Sequence, residues 1–234
     1  MKHYVYGNGE SRKGFTVSNY DGISWGCNAL YRDAVVDNLV VMDYGMQGEV
    51  YNSGYVKEHK CWFADFDPLP RDVVDTFKMD FAEDDIHEYG TDYGLAVING
   101  SHNKGIGSGL HIIYTDPVKD QIVTFEQPRE WSAGNTAIHL ACQNGATEVY
   151  MFGFDISVYT EQLNNVYKGT ENYLSAETDK KIPASDWKQQ LYLTFREFSD
   201  IKFNWIGSDF GYITNTKIMN CDNVNLITYD NIRL

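Results

Sequence analysis

The run Gly134-Asn135-Thr136-Ala137-Ile138-His139-Leu140-Ala141-Cys142-Gln143-Asn144-Gly145, followed at once by Glu148-Val149-Tyr150-Met151-Phe152-Gly153-Phe154-Asp155, decides the fold. Ala137, Ile138, Ala141 and Cys142 recur at helical spacing and predict a helix over 134–144 with one apolar stripe. Gly145 stands where helices commonly end on a left-handed residue, a conformation that glycine adopts without a Cβ penalty. Glu148 to Phe152 is short and β-prone and stops at Gly153, which reads as a strand entering a turn. A helix feeding a strand in this way is half of an α/β unit.

Working outward, strands are predicted at His3 to Tyr6, Gly22 to Cys27, Asn38 to Asp43, Cys61 to Ala64, Leu95 to Ile98, Gln121 to Phe125, Ile201 to Ile206 and Val224 to Tyr229. Helical spacing is read at Ala29 to Asp33, Pro70 to Asp80, Leu110 to Tyr114 and Asp186 to Phe198. Strands alternating with helices predict a single α/β domain over 1–234. It is Rossmann-like, with a mostly parallel sheet covered by helices on both faces. The polar, tyrosine-bearing stretch from Ser157 to Pro183 is expected to be a long loop or lid rather than core. In such sheets ligands sit at the carboxyl ends of the strands. The loops Gly7–Gly14, Cys27–Asn28, Asp43–Gly48, Ser132–Asn135 and Gly153–Tyr159 are therefore expected to converge.

Composition narrows the function. Acidic residues number 33 against 19 basic ones, for a formal net charge of −14, which excludes nucleic acid as the main partner because a phosphate backbone demands a basic stripe. The local pair Arg12-Lys13 could still hold one small phosphate. No apolar run reaches the ~18–20 residues of a membrane span, and the amino terminus meets Gly7 before a signal-peptide core could form, so a cytoplasmic location is expected. Cys27, Cys61, Cys142 and Cys221 form no C-x-x-C pair and are expected to be free thiols. The histidines His3, His59, His87, His102, His111 and His139 form no metal-binding pattern, and zinc is not expected.

Several loops carry candidate chemistry. Gly7-Asn8-Gly9-Glu10-Ser11 follows the first strand and offers backbone N–H groups and a hydroxyl to an anion, or is an ordinary strand-ending turn. Arg12 stands where the dinucleotide fingerprint needs glycine, and Phe15-Thr16 where a P-loop needs Lys and Ser/Thr, so neither motif is present. Asn28 suits a nucleobase or a sugar hydroxyl, or caps the short helix after it. Asp43 at the end of the third strand suits a ribose hydroxyl or a metal, or is a solvated strand end. Arg129, Ser132, Gly134, Asn135 and Thr136 lead into the long helix, whose N-terminus favours anions; Ser132 or Asn135 also suits the cap. Asp65-Phe66-Asp67 has the D-x-D form that holds a divalent ion, Mg²⁺ or Mn²⁺, on a sugar nucleotide's diphosphate. It is ranked as the second-choice metal site.

Taken together, Gly7-Asn8-Gly9-Glu10-Ser11, Cys27-Asn28-Ala29-Leu30-Tyr31 and the stretch from Gly134 to Asp155 resemble the motility-accessory-factor and hydroxymethylpterin-diphosphokinase-like family, and more distantly the bacterial lipooligosaccharide sialyltransferases. The resemblance covers roughly residues 3–45 and 127–160. It implies a Rossmann-like nucleotide-binding domain with a mobile lid. Asn8, Gly9 and Asn28 would hold phosphates and sugar, with Gly7, Ser11 and Asp43 beside them, while Ser132, Gly134, Asn135 and Thr136 would frame ribose and base. Arg129 matches a basic residue of the sialyltransferase motif, and Asp155 matches the acidic end of its Gly-Phe-Asp strand. Those enzymes use a lid histidine as base, and no histidine follows His139 here, which leaves Asp155, Tyr159 or Glu161 for that role. The activity expected is transfer of a sugar from a nucleotide sugar to a glycan or small-molecule acceptor hydroxyl. The alternatives are Mg²⁺-dependent diphosphokinase transfer from ATP to a small alcohol, and nucleotide or glycan binding without catalysis.

Overall fold

The computed structural model describes residues 1–14, 21–64, 67–69, 73, 75–76, 86–89, 95–98, 110–114, 121–126, 131–156, 164–173 and 184–232. The chain divides into two compact units, one built from Met1–Val40 and Pro128–Leu234, the other from Val41–Gln127.

The strands of the first unit are β1 (Lys2–Tyr6), β2 (Ile23–Cys27), β3 (Asn38–Val41), β10 (Glu148–Phe152), β11 (Lys202–Gly207) and β12 (Val224–Thr228). They pair in the order β3-β2-β1-β10-β11-β12, and every pairing is parallel. This is the Rossmann-like α/β arrangement: strand order runs one way from β1 to β3 and the other way from β10 to β12, so the topological switch lies between β1 and β10. Because all these strands run the same way, the turns after β1, β2, β10, β11 and β12 leave from one edge of the sheet.

Among the described residues two α-helices pack on this sheet. The long sequence-predicted helix is α2 (Ala133–Gln143), with Ala137, Ile138 and Ala141 fully buried against β1, β2 and β10. Its end is set as the sequence predicts, by Gly145 at φ +88°. Helix α3 (Ala184–Glu197) packs on α2 and on β11, where the buried Phe195 ring lies 4.6 Å from Phe203 and 6.4 Å from Trp205, centroid to centroid. Phe203 and Trp205 alternate with Asn204 along β11, so the aromatic pair shares one sheet face. On the other face Tyr4 stacks on Tyr150 and Tyr6 on Phe152. Beside them Glu148 accepts from Asn204, Tyr150 and Lys202. Partial burial works against ionisation of Glu148, but these bonds win and hold its carboxyl below the usual range.

In the second unit β4 (Lys60–Ala64) pairs in parallel with β9 (Ile122–Phe125). A further sheet has the order β5 (Asp67–Leu69), β8 (Leu110–Tyr114), β7 (Leu95–Ile98), β6 (Ile86–Tyr89), with β5–β8 parallel and β8–β7 and β7–β6 antiparallel. Leu110 to Tyr114 is therefore a strand and not the helix its sequence predicts. Residues 44–48, expected to be loop, open helix α1 (Tyr44–Asn52). That helix is anchored by fully buried Gln47, whose amide donates to the carbonyls of Val41 and Ala64. Of the helix read over Pro70 to Asp80, Val73, Asp75 and Thr76 are helical and the rest lie outside the described residues. The short helix after β2 is a 3₁₀ turn, Asn28–Arg32.

The fold carries an acid-sensitive element. His3 is fully buried on β1, and its Nδ1 accepts from the Trp25 indole N–H at 3.0 Å, which requires an unprotonated nitrogen. Burial, assisted by the nearby amino terminus, pushes its pKa below the ordinary 6.5. As pH falls through that value the unfolded chain takes up a proton that the folded chain refuses, so stability is lost with falling pH at up to ~1.4 kcal/mol per pH unit. His139, also lowered by burial against an opposing Glu197, adds to the loss. Thermal melts from neutral pH to about pH 5 should show a falling Tm, and His3→Asn, which keeps an acceptor for Trp25, should flatten the slope. A slope unchanged in the variant would contradict the assignment to His3.

Candidate functional site

The turns after β1 and β10 meet at the switch between the two halves of the sheet. Gly153, at φ +68°, brings its backbone so close to Gly7 that a Cβ there would lie 2.8 Å from the Gly7 carbonyl oxygen. A Cβ on Gly9 would lie 2.6 Å from both the Gly153 carbonyl oxygen and Asp155 Oδ2. Only glycine permits this approach at either position.

The approach is sealed by hydrogen bonds. The N–H of Gly7 donates to Phe152 O and that of Gly9 to Gly153 O, both at 2.8 Å. The N–H of Ser11 donates to Asp155 Oδ2 at 2.6 Å, and that of Glu10 to Asn164 Oδ1 at 2.7 Å. From Gly7 to Ser11 the first loop thus spends four of its five backbone N–H groups on the protein itself. Arg12 is spent likewise. It is buried, its Nε donates to Gly7 O and its Nη2 to Tyr167 Oη, each at 2.8 Å, so the expected Arg12-Lys13 phosphate site loses its stronger cation to the interior.

Asn8 reaches sideways to the turn after β2. Its amide nitrogen donates to Cys27 O and to Tyr173 Oη, and Tyr173 Oη accepts in turn from the Ala29 N–H. Since a carbonyl can only accept, the Cys27 contact fixes which way the Asn8 amide faces, and Asn8 Oδ1 is a buried acceptor that makes no hydrogen bond. Asn28 is the first residue of the 3₁₀ turn, at φ +48°, and Cys27 rather than Asn28 occupies the cap position.

Residues 164–173, the described part of the expected lid, clasp these two turns. Val166 N–H donates to Asn8 O, and Tyr167 is buried, its hydroxyl donating to Asp33 while it accepts from Arg12. Arg32 donates to Thr170 and to the Glu171 carbonyl. Burial first, and the Asp33 hydrogen bond second, raise the Tyr167 pKa far out of the physiological range. Here the expectation of loop rather than core fails for Tyr167, which is core.

The N-terminus of α2 closes the same edge. Phe154 is the wedge: a Cβ on Gly134 would lie 3.1 Å from its ring and one on Gly7 3.3 Å. Ser132 caps the helix, accepting from the Asn135 N–H at 3.3 Å. Asn135 turns away from the edge, is 2% exposed and gives both amide hydrogens to α3, at Gln190 Oε1 and Trp187 O. Thr136 is fully buried beside it. Asn135 and Thr136, which the resemblance assigns to the frame of ribose and base, are thus both buried, with the Asn135 amide committed to α3.

The structure thus brings Gly7, Asn8, Gly9, Ser11, Asn28, Ser132, Gly134 and Asp155 to one edge. Asp43 belongs to the second unit, exposed at the start of α1, and Asp67 begins β5 there. Arg129, Tyr159, Glu161 and Asp65 lie outside the described residues. Among the described residues no group of His, Cys, Asp or Glu side chains could hold a metal ion, and no helix is long and apolar enough to cross a membrane.

Two residues that sequence reasoning missed flank the partly exposed Asp155. Tyr229 Oη lies 3.3 Å from Ser11 Oγ, and Tyr212 Oη donates to Phe154 O at 3.3 Å. Burial raises both phenol pKa values, and the Asp155 charge raises them further, so both tyrosines stay protonated beside the carboxylate. Their positions after β11 and β12 are the only sequence signal, visible once those strands are known to be parallel to β10. No family model, curated protein or solved structure matches this chain.

Proposed function

We propose that the protein is a glycosyltransferase-like enzyme that binds a nucleotide-activated sugar at this edge and passes the sugar to an acceptor hydroxyl. The observation that carries the reading is the meeting, at the switch point of a Rossmann-like sheet, of the turns after β1 and β10 around one carboxylate, Asp155. In the transfer the acceptor oxygen bonds to the anomeric carbon as that carbon's bond to the phosphate oxygen breaks. The nucleotide leaves with the electron pair, and the acceptor proton passes to Asp155. Ser11 N–H holds one carboxylate oxygen, which aims the group without filling it.

Thermal shift against CMP, UDP and GDP sugars, with and without Mg²⁺ or Mn²⁺, tests the reading. A ligand present at a hundred times its Kd adds about 2.7 kcal/mol, so one nucleotide class should raise Tm by about 5–10 °C. No shift with any of them would overturn the proposal. The occupied N–H groups of the first loop favour a second reading, glycan or nucleoside binding without transfer. Stabilisation with no product and no donor hydrolysis would support it.

A further inference from the structure

We infer that the loop from Gly7 to Ser11 reads the hydroxyl-bearing sugar portion of the ligand and not its phosphates; this rests on the nucleotide-sugar reading above and assigns one part of that ligand. A phosphate needs donors, and four of the five backbone N–H groups from Gly7 to Ser11 are committed. Gly7, Gly9, Glu10 and Ser11 give their N–H groups to Phe152 O, Gly153 O, Asn164 Oδ1 and Asp155 Oδ2. The guanidinium of Arg12 is turned inward onto Gly7 O and Tyr167. The place a phosphate would take over the Ser11 N–H is held by the protein's own anion, Asp155 Oδ2 at 2.6 Å. A second anion there would face that carboxylate at close range, a strongly unfavourable pairing at a partly buried site.

What the loop has to offer is acceptors. They are the two oxygens of the Asp155 carboxylate, aimed by the Ser11 N–H; Asn8 Oδ1, its orientation set by the Cys27 carbonyl, is shut off from the surface. Acceptors at fixed positions suit vicinal hydroxyls, which each bring a donor. Tyr229 and Tyr212 beside the carboxylate, hydrogen-bonded to Ser11 Oγ and Phe154 O, bring no cation, and phosphate recognition is left to other parts of the edge.

The test has two arms. In the first, ¹⁵N-labelled protein is titrated with inorganic pyrophosphate and the amide signals of Gly7, Gly9, Glu10 and Ser11 are followed. They should stay in place in the wild type, and a saturable shift of the Gly9 and Ser11 signals overturns the inference. In the second, thermal shift compares each nucleotide sugar with its parent nucleoside diphosphate. The sugar-bearing ligand should bind at least about tenfold more tightly, and Asp155→Asn, which keeps an acceptor for the Ser11 N–H, should bring the ratio towards one. Equal binding of both ligands in the wild type overturns the inference. If neither ligand binds, the nucleotide-sugar reading itself fails, and the pyrophosphate arm still decides the chemistry of the loop.

Discussion

Asparagine at position 155 is expected to slow sugar transfer, or hydrolysis of the donor if that is the measurable reaction, by about 10²–10⁴-fold, the usual contribution of a general base. The amide oxygen can still accept the Ser11 N–H that Asp155 Oδ2 now accepts at 2.6 Å, so the two loops should stay joined. An amide cannot take a proton from the acceptor hydroxyl, so the rate at saturating donor separates the chemistry from any loss of sugar binding. The Tm should change by no more than about 2–4 °C, equivalent to ~1 kcal/mol for a chain of this size. Asp155 would not be the base if turnover survived within threefold of the wild type.

A second large effect is structural. Phe195→Ala should destabilise the protein by about 3–5 kcal/mol, since a buried aromatic ring is deleted from between α3 and β11 where Phe203 and Trp205 enclose it. The functional consequence follows from the same packing. Helix α3 supplies Gln190 and the Trp187 carbonyl that fix Asn135, and Gln190 also accepts the Ser132 N–H, so loosening α3 loosens the start of α2 at the site edge. Chemical denaturation with ligand present and absent would register both losses. A cost under about 1 kcal/mol would mean that α3 does not close the core in the way described.

Why some of this was readable in the chain and some was not comes down to the range of the forces involved. Helix α2 announced itself because Ala137, Ile138, Ala141 and Cys142 sustain a 3.6-residue period and Gly145 ends it; both signals are local. Leu110 to Tyr114 is too short for period to separate a helix from a strand, and its neighbours β5 and β7 decided the matter. Helix α1 begins Tyr44-Gly45-Met46-Gln47-Gly48, a poor helix former by propensity. Burial of Met46 and Val50 and the Gln47 bonds to two strand ends override that propensity. At the site, the glycines of the first loop were legible as a place of close approach. That the approaching group is the protein's own Gly153–Asp155 turn, 144 positions away from Ser11 at its nearest hydrogen bond, was not. Asn135 shows the same limit: an amide at a helix start looks the same in sequence whether it faces a ligand or a neighbouring helix.

The most direct test of the central claim is amide chemical-shift mapping of the labelled protein with the nucleotide sugar that raises Tm most. Perturbations should gather on Asn8, Gly9, Asn28, Gly134 and Asp155, the residues that the parallel strands deliver to one edge. Perturbations confined to the second unit, or scattered without reaching Asp155, would contradict it.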